Sequence, residues 1–182
     1  MTNLPADELL KFLFSHHAFD LEHSGSTLIH HLVGTWRILK AWGLPSTVCD
    51  AGLFHSVYGT ENFREVAVLS DERRLVEQLI GQRAEQLAYF FGSMKRSSFY
   101  SAAKNINSRI VLLDRRNETE LYVTKEDFAA ISHMLLANWL EQRPRAPENI
   151  VTKMDYKFRP ILHIFDVKAI ALFNKGFEKR IP

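Results

Sequence analysis

The sequence predicts an all-helical fold, on three observations. Gly and Pro are few, 8 and 6 in 182 residues. Apolar residues recur at helical spacing, while the strict alternation of a half-buried strand is scarce. Residues that start and stop helices fall at the ends of the periodic stretches. The first helix is expected over Pro5–His17, with Pro5 suited to an early helical position and Leu9, Leu10, Phe12, Leu13 and Phe14 as its apolar surface. A loop over Asp20–Ser26 follows. A second helix over Thr27–Trp42 carries Leu28, His31, Leu32, Thr35, Ile38, Leu39 and Trp42 on or near one stripe, and Gly43 fits the position just after its end.

Pro45-Ser46 opens a third helix reaching Phe54 or Val57, before the turn Tyr58-Gly59-Thr60. A short helix over Asn62–Leu69 comes next. Ser70 then reads as the cap of a long helix over Asp71–Phe91, whose acidic first turn suits the positive end of the helix dipole. Residues Phe99–Asn117 are expected to be helical, with Ile106, Ile110, Val111, Leu112 and Leu113 apolar. Thr124 caps a helix to Gln142, with Asp127 where a capping box places Glu. Pro144 and Pro147 mark a loop, and a last helix is expected over Pro160–Lys175. No repeat or linker divides the chain, so residues 1–182 read as one domain, the usual count for this length.

Composition narrows the function. Charged residues make up 24% and apolar ones 46%, a globular balance. A net charge of +2 gives no ground for nucleic-acid or membrane binding. No apolar run reaches the roughly 18 to 20 residues of a membrane span, and acids precede the first apolar stretch, unlike a signal peptide. The expectation is a cytoplasmic protein acting on a small molecule. The one cysteine, Cys49, lies in an apolar helix and reads as a buried, inert thiol.

Eight histidines invite a sharper reading. His30-His31, His55 and Asp114 each sit beside apolar runs. Imidazole nitrogen with carboxylate oxygen suits manganese, iron or zinc. A carboxylate beside a buried run needs a partner, and Arg109, Arg115 and Arg116 compete with a metal for that role. On these residues alone, a metal site and a set of satisfied core polar groups both stand.

The stretches HSGSTLIHHLVGTW, CDAGLFHSVYGTENF and IVLLDRRN, with 24 positions from His31 to His55, resemble the HD-domain superfamily. The nearest echo is the hydrolase domain of the stringent-response alarmone enzymes. The resemblance implies an HD-domain-like helical bundle, a divalent transition metal held by His31, His55 and Asp114, and hydrolysis of a small phosphorylated or otherwise anionic substrate. Two departures accompany it. Ser56 follows His55 where the superfamily has Asp, and Gly59 and Thr60 stand where the alarmone hydrolases carry water-activating acids. His23 is the expected replacement ligand, with an exposed loop histidine as the alternative. Glu61 is the expected general base. Thr60, Arg109 and Arg115 are the expected substrate contacts. Two further readings stay open: a degenerate HD domain that binds a ligand or partner without chemistry, and an iron-dependent HD-fold oxygenase. His16-His17 reads as a helix-end cap, His133 and His163 as core residues, Asn138-Trp139 as a helix–helix contact and Lys95-Arg96-Ser97-Ser98 as a solvated loop, with contact to an anionic substrate as the alternative.

Overall fold

A computed structural model of the chain describes residues 4–16, 18, 21–23, 26–106 and 109–178. The fold is all-α: among the described residues, nine α-helices carry the architecture and two small hairpins supply the strands.

Helix α1 (Asp7–Ser15) starts after Pro5 and buries Leu9 and Leu13. The expected loop before the second helix contains a minimal hairpin of β1 (Glu22–His23) and β2 (Ser26–Thr27). Helix α2 (Leu28–Trp42) runs as its periodicity predicts and ends at Gly43. Helix α3 (Ser46–Leu53) stops one turn short of Val57, and the chain turns through Phe54–Tyr58. The short helix expected at Asn62–Leu69 is not formed. Thr60 and Phe63 close a turn instead: Thr60 N–H donates to the Phe63 carbonyl (2.5 Å) and Phe63 N–H to Thr60 Oγ1 (3.1 Å).

The long helix expected over Asp71–Phe91 is divided. After a 3-10 turn at Ser70–Glu72, α4 (Arg73–Ile80) and α5 (Gln82–Ser93) meet at Gly81, whose φ of 85° and ψ of 151° lie in a region open essentially to glycine. The largest correction concerns Phe99–Asn117. Among the described residues only α6 (Arg96–Ala103) is helical there, and β3 (Ile110–Leu113) pairs antiparallel with β4 (Glu120–Val123), from Ile110 opposite Val123 to Leu113 opposite Glu120. Burial alternates along β3, with Ile110 and Leu112 inside and Val111 and Leu113 half-buried, which is period two and not 3.6. The apolar run is short and begins with β-branched residues, and this favours a strand.

Helix α7 (Lys125–Gln142) is the central element, buried along most of its length against α2, α3 and α5. Thr124 caps it as expected, Oγ1 accepting the Asp127 N–H at 3.1 Å. After a 3-10 turn at Arg143–Arg145, a helix absent from the sequence reading follows: α8 (Glu148–Phe158), with Pro147 just ahead of it. The last expected helix is a 3-10 segment at Arg159–Ile164 followed by α9 (Val167–Glu178). Leu32, Leu39, Leu53, Phe54, Phe91 and Leu136 are wholly buried in one core, where truncation to Ala costs about 2–5 kcal/mol. Among the described residues, no helix is long and apolar enough to cross a membrane.

Candidate functional site

Three helices converge on two histidines. His31 lies on the buried face of α2, in line with Leu28, Leu32 and Thr35. His55 sits in the turn after α3, and both rings are fully buried. From α7, Asn138 and Glu141 reach the same place; spaced i, i+3, they share one helix face.

The hydrogen bonds fix what each ring offers. His55 Nδ1 lies 2.6 Å from the Gly52 carbonyl, which only accepts, so Nδ1 carries the proton. His31 Nδ1 donates to Glu141 Oε2. Burial works against the Glu141 carboxylate, but its bonds from His31 and Arg145 more than offset this and hold its pKa below the ordinary value. Arg145 Nη2 reaches both carboxylate oxygens, at 2.8 and 2.9 Å. Gly34 makes room for the arrangement: a Cβ there would stand 2.6 Å from Glu141 Cγ.

With both Nδ1 atoms turned to acceptors, each ring turns its Nε2 inward towards Asn138. The two Nε2 atoms are 3.0 Å apart, and Asn138 Oδ1 lies 3.0 Å from His31 Nε2 and 2.9 Å from His55 Nε2. Three acceptors this close repel one another unless a proton, a metal ion or a turned Asn138 amide supplies positive charge between them. The donor set fits a borderline transition ion: two imidazole nitrogens, one amide oxygen, and a carboxylate fixing the far nitrogen of one ring. It holds no carboxylate ligand. Among the described residues, no three His, Cys, Asp or Glu side chains group as a metal site.

Asp114 therefore does not join His31 and His55 as expected. It ends β3, where its N–H donates to the Thr119 carbonyl, its own carbonyl accepts the Glu118 N–H and its Oδ1 accepts the Arg116 N–H at 2.8 Å. The carboxylate closes its own turn, a frequent use of Asp. The side chain of His23 lies outside the described residues, as do Ser24 and Gly25. Arg109 stacks on Tyr122, with its guanidinium carbon 3.7 Å from the ring centre, and lines a shallow pocket on the β3–β4 hairpin, away from the cavity described below. Arg115 donates through Nε to the Gly92 carbonyl (2.8 Å) near the end of α5. Burial, then neighbouring Arg116, lowers its pKa, and Glu61 lies within its electrostatic reach.

A cavity of about 330 Å³ opens on Asn138. Ser56, Thr60 and Glu61 line one side. Glu61 Oε2 accepts the Arg96 backbone N–H at 2.9 Å. Arg96 and Tyr100 enter from α6, Leu135 and Trp139 from α7, and Ile150, Met154 and Lys157 from α8. The Arg96 guanidinium lies over the Phe91 ring (4.2 Å) and donates from Nη1 to the Phe91 carbonyl at 3.0 Å. Burial pushes its pKa down to about 10, still cationic at neutral pH. Burial raises Tyr100 to about 12, against the pull of Arg96.

Asn138, Glu141 and Lys157 are the members the sequence reading missed. Asn138 carried a signal, as a polar residue continuing the apolar stripe of Ile131 and Leu135 on a buried helix. Arg96 belongs to the stretch expected either to meet an anionic substrate or to be a solvated loop; it begins α6 and is half-buried. Cys49 is buried as expected, which pushes its thiol up to about 11.

A family model for a domain of unknown function, DUF6817, matches residues 12–96, a little under half of the chain. That stretch contains His31, His55, Ser56, Glu61 and Arg96; Asn138 and Glu141 lie beyond it. No curated protein and no solved structure matches the chain.

Proposed function

We propose that this chain is an HD-like, metal-dependent enzyme acting on a small anionic substrate, with His31, His55 and Asn138 holding a divalent transition ion. The observation that carries the reading is the meeting of two imidazole Nε2 atoms and the Asn138 amide oxygen within 3.0 Å, with Asn138 itself lining the cavity. A bound ion would supply Lewis acidity and lower the pKa of a bound water, the chemistry of hydrolysis. The protein's own groups do the rest. Glu141 and the Gly52 carbonyl hold the two rings in the tautomer that exposes Nε2. Glu61, fixed through Oε2, keeps Oε1 to take a proton. Thr60, whose Oγ1 already accepts one N–H, still has a hydroxyl proton to donate.

A second reading is a degenerate HD domain that binds a ligand without chemistry. It is favoured by the absence of a carboxylate among the three donors and by the engagement of Asp114 elsewhere. One experiment separates the two. Purified, chelator-treated protein is titrated with zinc, manganese and iron(II) while its melting temperature and its hydrolysis of aryl phosphates are followed. The enzyme reading expects one of these ions to raise the melting temperature by linkage and to switch on turnover, with both effects lost in His55→Ala. Ligand-free folding with no metal response would leave only the binding module.

A further inference from the structure

The walls of the cavity differ sharply in chemistry. Leu135 and Trp139 from α7 and Ile150 and Met154 from α8 are apolar, whereas Arg96 from α6 and Lys157 from α8, its ammonium over the Tyr100 ring, are cations beside the acid Glu61. Among the described residues neither cation has a carboxylate salt-bridge partner: Arg96 uses the Phe91 carbonyl and ring, and Lys157 lies 5.4 Å from the Tyr100 ring centre. The Glu61 carboxylate beside Arg96 offsets part of the half-buried guanidinium's charge, and an arriving anion would add to that stabilisation. Trp139 is 4% exposed and its Nε1–H has no acceptor among the described residues. At about 330 Å³ the space lies at the low end of the roughly 300–1,000 Å³ of small-molecule sites.

We propose that the ligand of this cavity is a small amphiphilic phosphate ester, its phosphate held between Arg96 and Lys157 and its apolar body packed on Leu135, Trp139, Ile150 and Met154. This deepens the reading above, on which it rests for the cavity being the substrate site. Planar guanidinium suits phosphate oxygens as a forked donor, and the Lys ammonium supplies a second point charge. The apolar wall gives a bare phosphate nothing to bury. Flexible Met154 and partly exposed Ile150 accommodate an aryl or branched alkyl group.

The test is calorimetric titration of the chelator-treated protein with phenyl phosphate and with inorganic phosphate. Phenyl phosphate is expected to bind one to one, at least tenfold more tightly than inorganic phosphate. Lys157→Met, at an exposed position, and Arg96→Met should each weaken it roughly tenfold or more, the usual effect of losing a charge-assisted bond. Ile150→Asp should erase the preference for the phenyl ester. Equal affinity for the two probes, no binding of either, or binding indifferent to Lys157→Met overturns the proposal. Because the titration contains no metal, phenyl phosphate binding by a protein that takes no metal would sink only the metal reading. Metal uptake without phenyl phosphate binding would sink only this one.

Discussion

At the residue scale, the placement of two protons governs the site. His31 and His55 each turn Nδ1 to an acceptor behind them and Nε2 to Asn138 in front. Gly34 contributes by having no side chain. Gly34→Ala would gain up to about 1 kcal/mol of helix propensity, yet its methyl would displace Glu141 from His31. Metal affinity should fall by roughly 10–100-fold, the usual effect of losing a ligand's supporting partner. In Glu141→Ala the same change at Gly34 should cost little more, because the two act through one contact. Additive losses in metal titrations would refute that coupling. Cys49 makes a separate prediction. Its pKa is raised, so the stability tied to the neutral thiol is complete below the ordinary value of 9.0 and drains away as pH rises towards about 11. At pH 8 only roughly one molecule in a thousand would carry the thiolate. Alkylation of the native protein should therefore be far slower than that of the unfolded chain, and equal rates would contradict the buried placement. His31 and His55 stood out by their apolar surroundings, and the family resemblance, with its 24-residue separation, paired them. Asn138 and Glu141 were not, because they lie more than a hundred residues from His31 and nothing in local spacing joins α7 to α2.

At the element scale, the departures have local causes. Periodicity located α2 well, since a long amphipathic stretch carries many repeats of the signal, while α7, buried on nearly every face, was legible from its Thr124 cap. It failed at Ile110–Leu113, where four apolar residues fit either period until a partner strand decides. That failure also removed Asp114 from the expected metal site, because the carboxylate that a helix would have projected instead closes a hairpin turn. Gly81 permits a test by sign. If α4 and α5 were one helix, Gly81→Ala would stabilise the protein by up to about 1 kcal/mol. With φ at 85° and ψ at 151° the substitution should destabilise it by about 1–3 kcal/mol, although a methyl there meets no neighbouring atom within 4 Å. Urea denaturation of the two proteins reads the sign directly.

At the scale of the whole molecule, α7 brings the site together: α2, the turn after α3 and the cavity wall from α8 all reach its C-terminal half. Far-UV circular dichroism should be dominated by helix, with strand limited to two short hairpins, and a strand content near a quarter of the residues would contradict the fold. Metal binding should tighten the packing of α2 on α7 and raise resistance to proteolysis in both. The claim on which the account depends most is that His31 and His55 are Nδ1–H tautomers whose Nε2 atoms share one ion with Asn138. Nitrogen-15 NMR of the histidine rings during titration with zinc tests it most directly. The account predicts that two histidines begin with protonated Nδ1, that their Nε2 resonances shift together to completion at one equivalent, and that Asn138→Ala weakens this response. Protonated Nε2 atoms in the metal-free protein, or rings that ignore the ion, would contradict it.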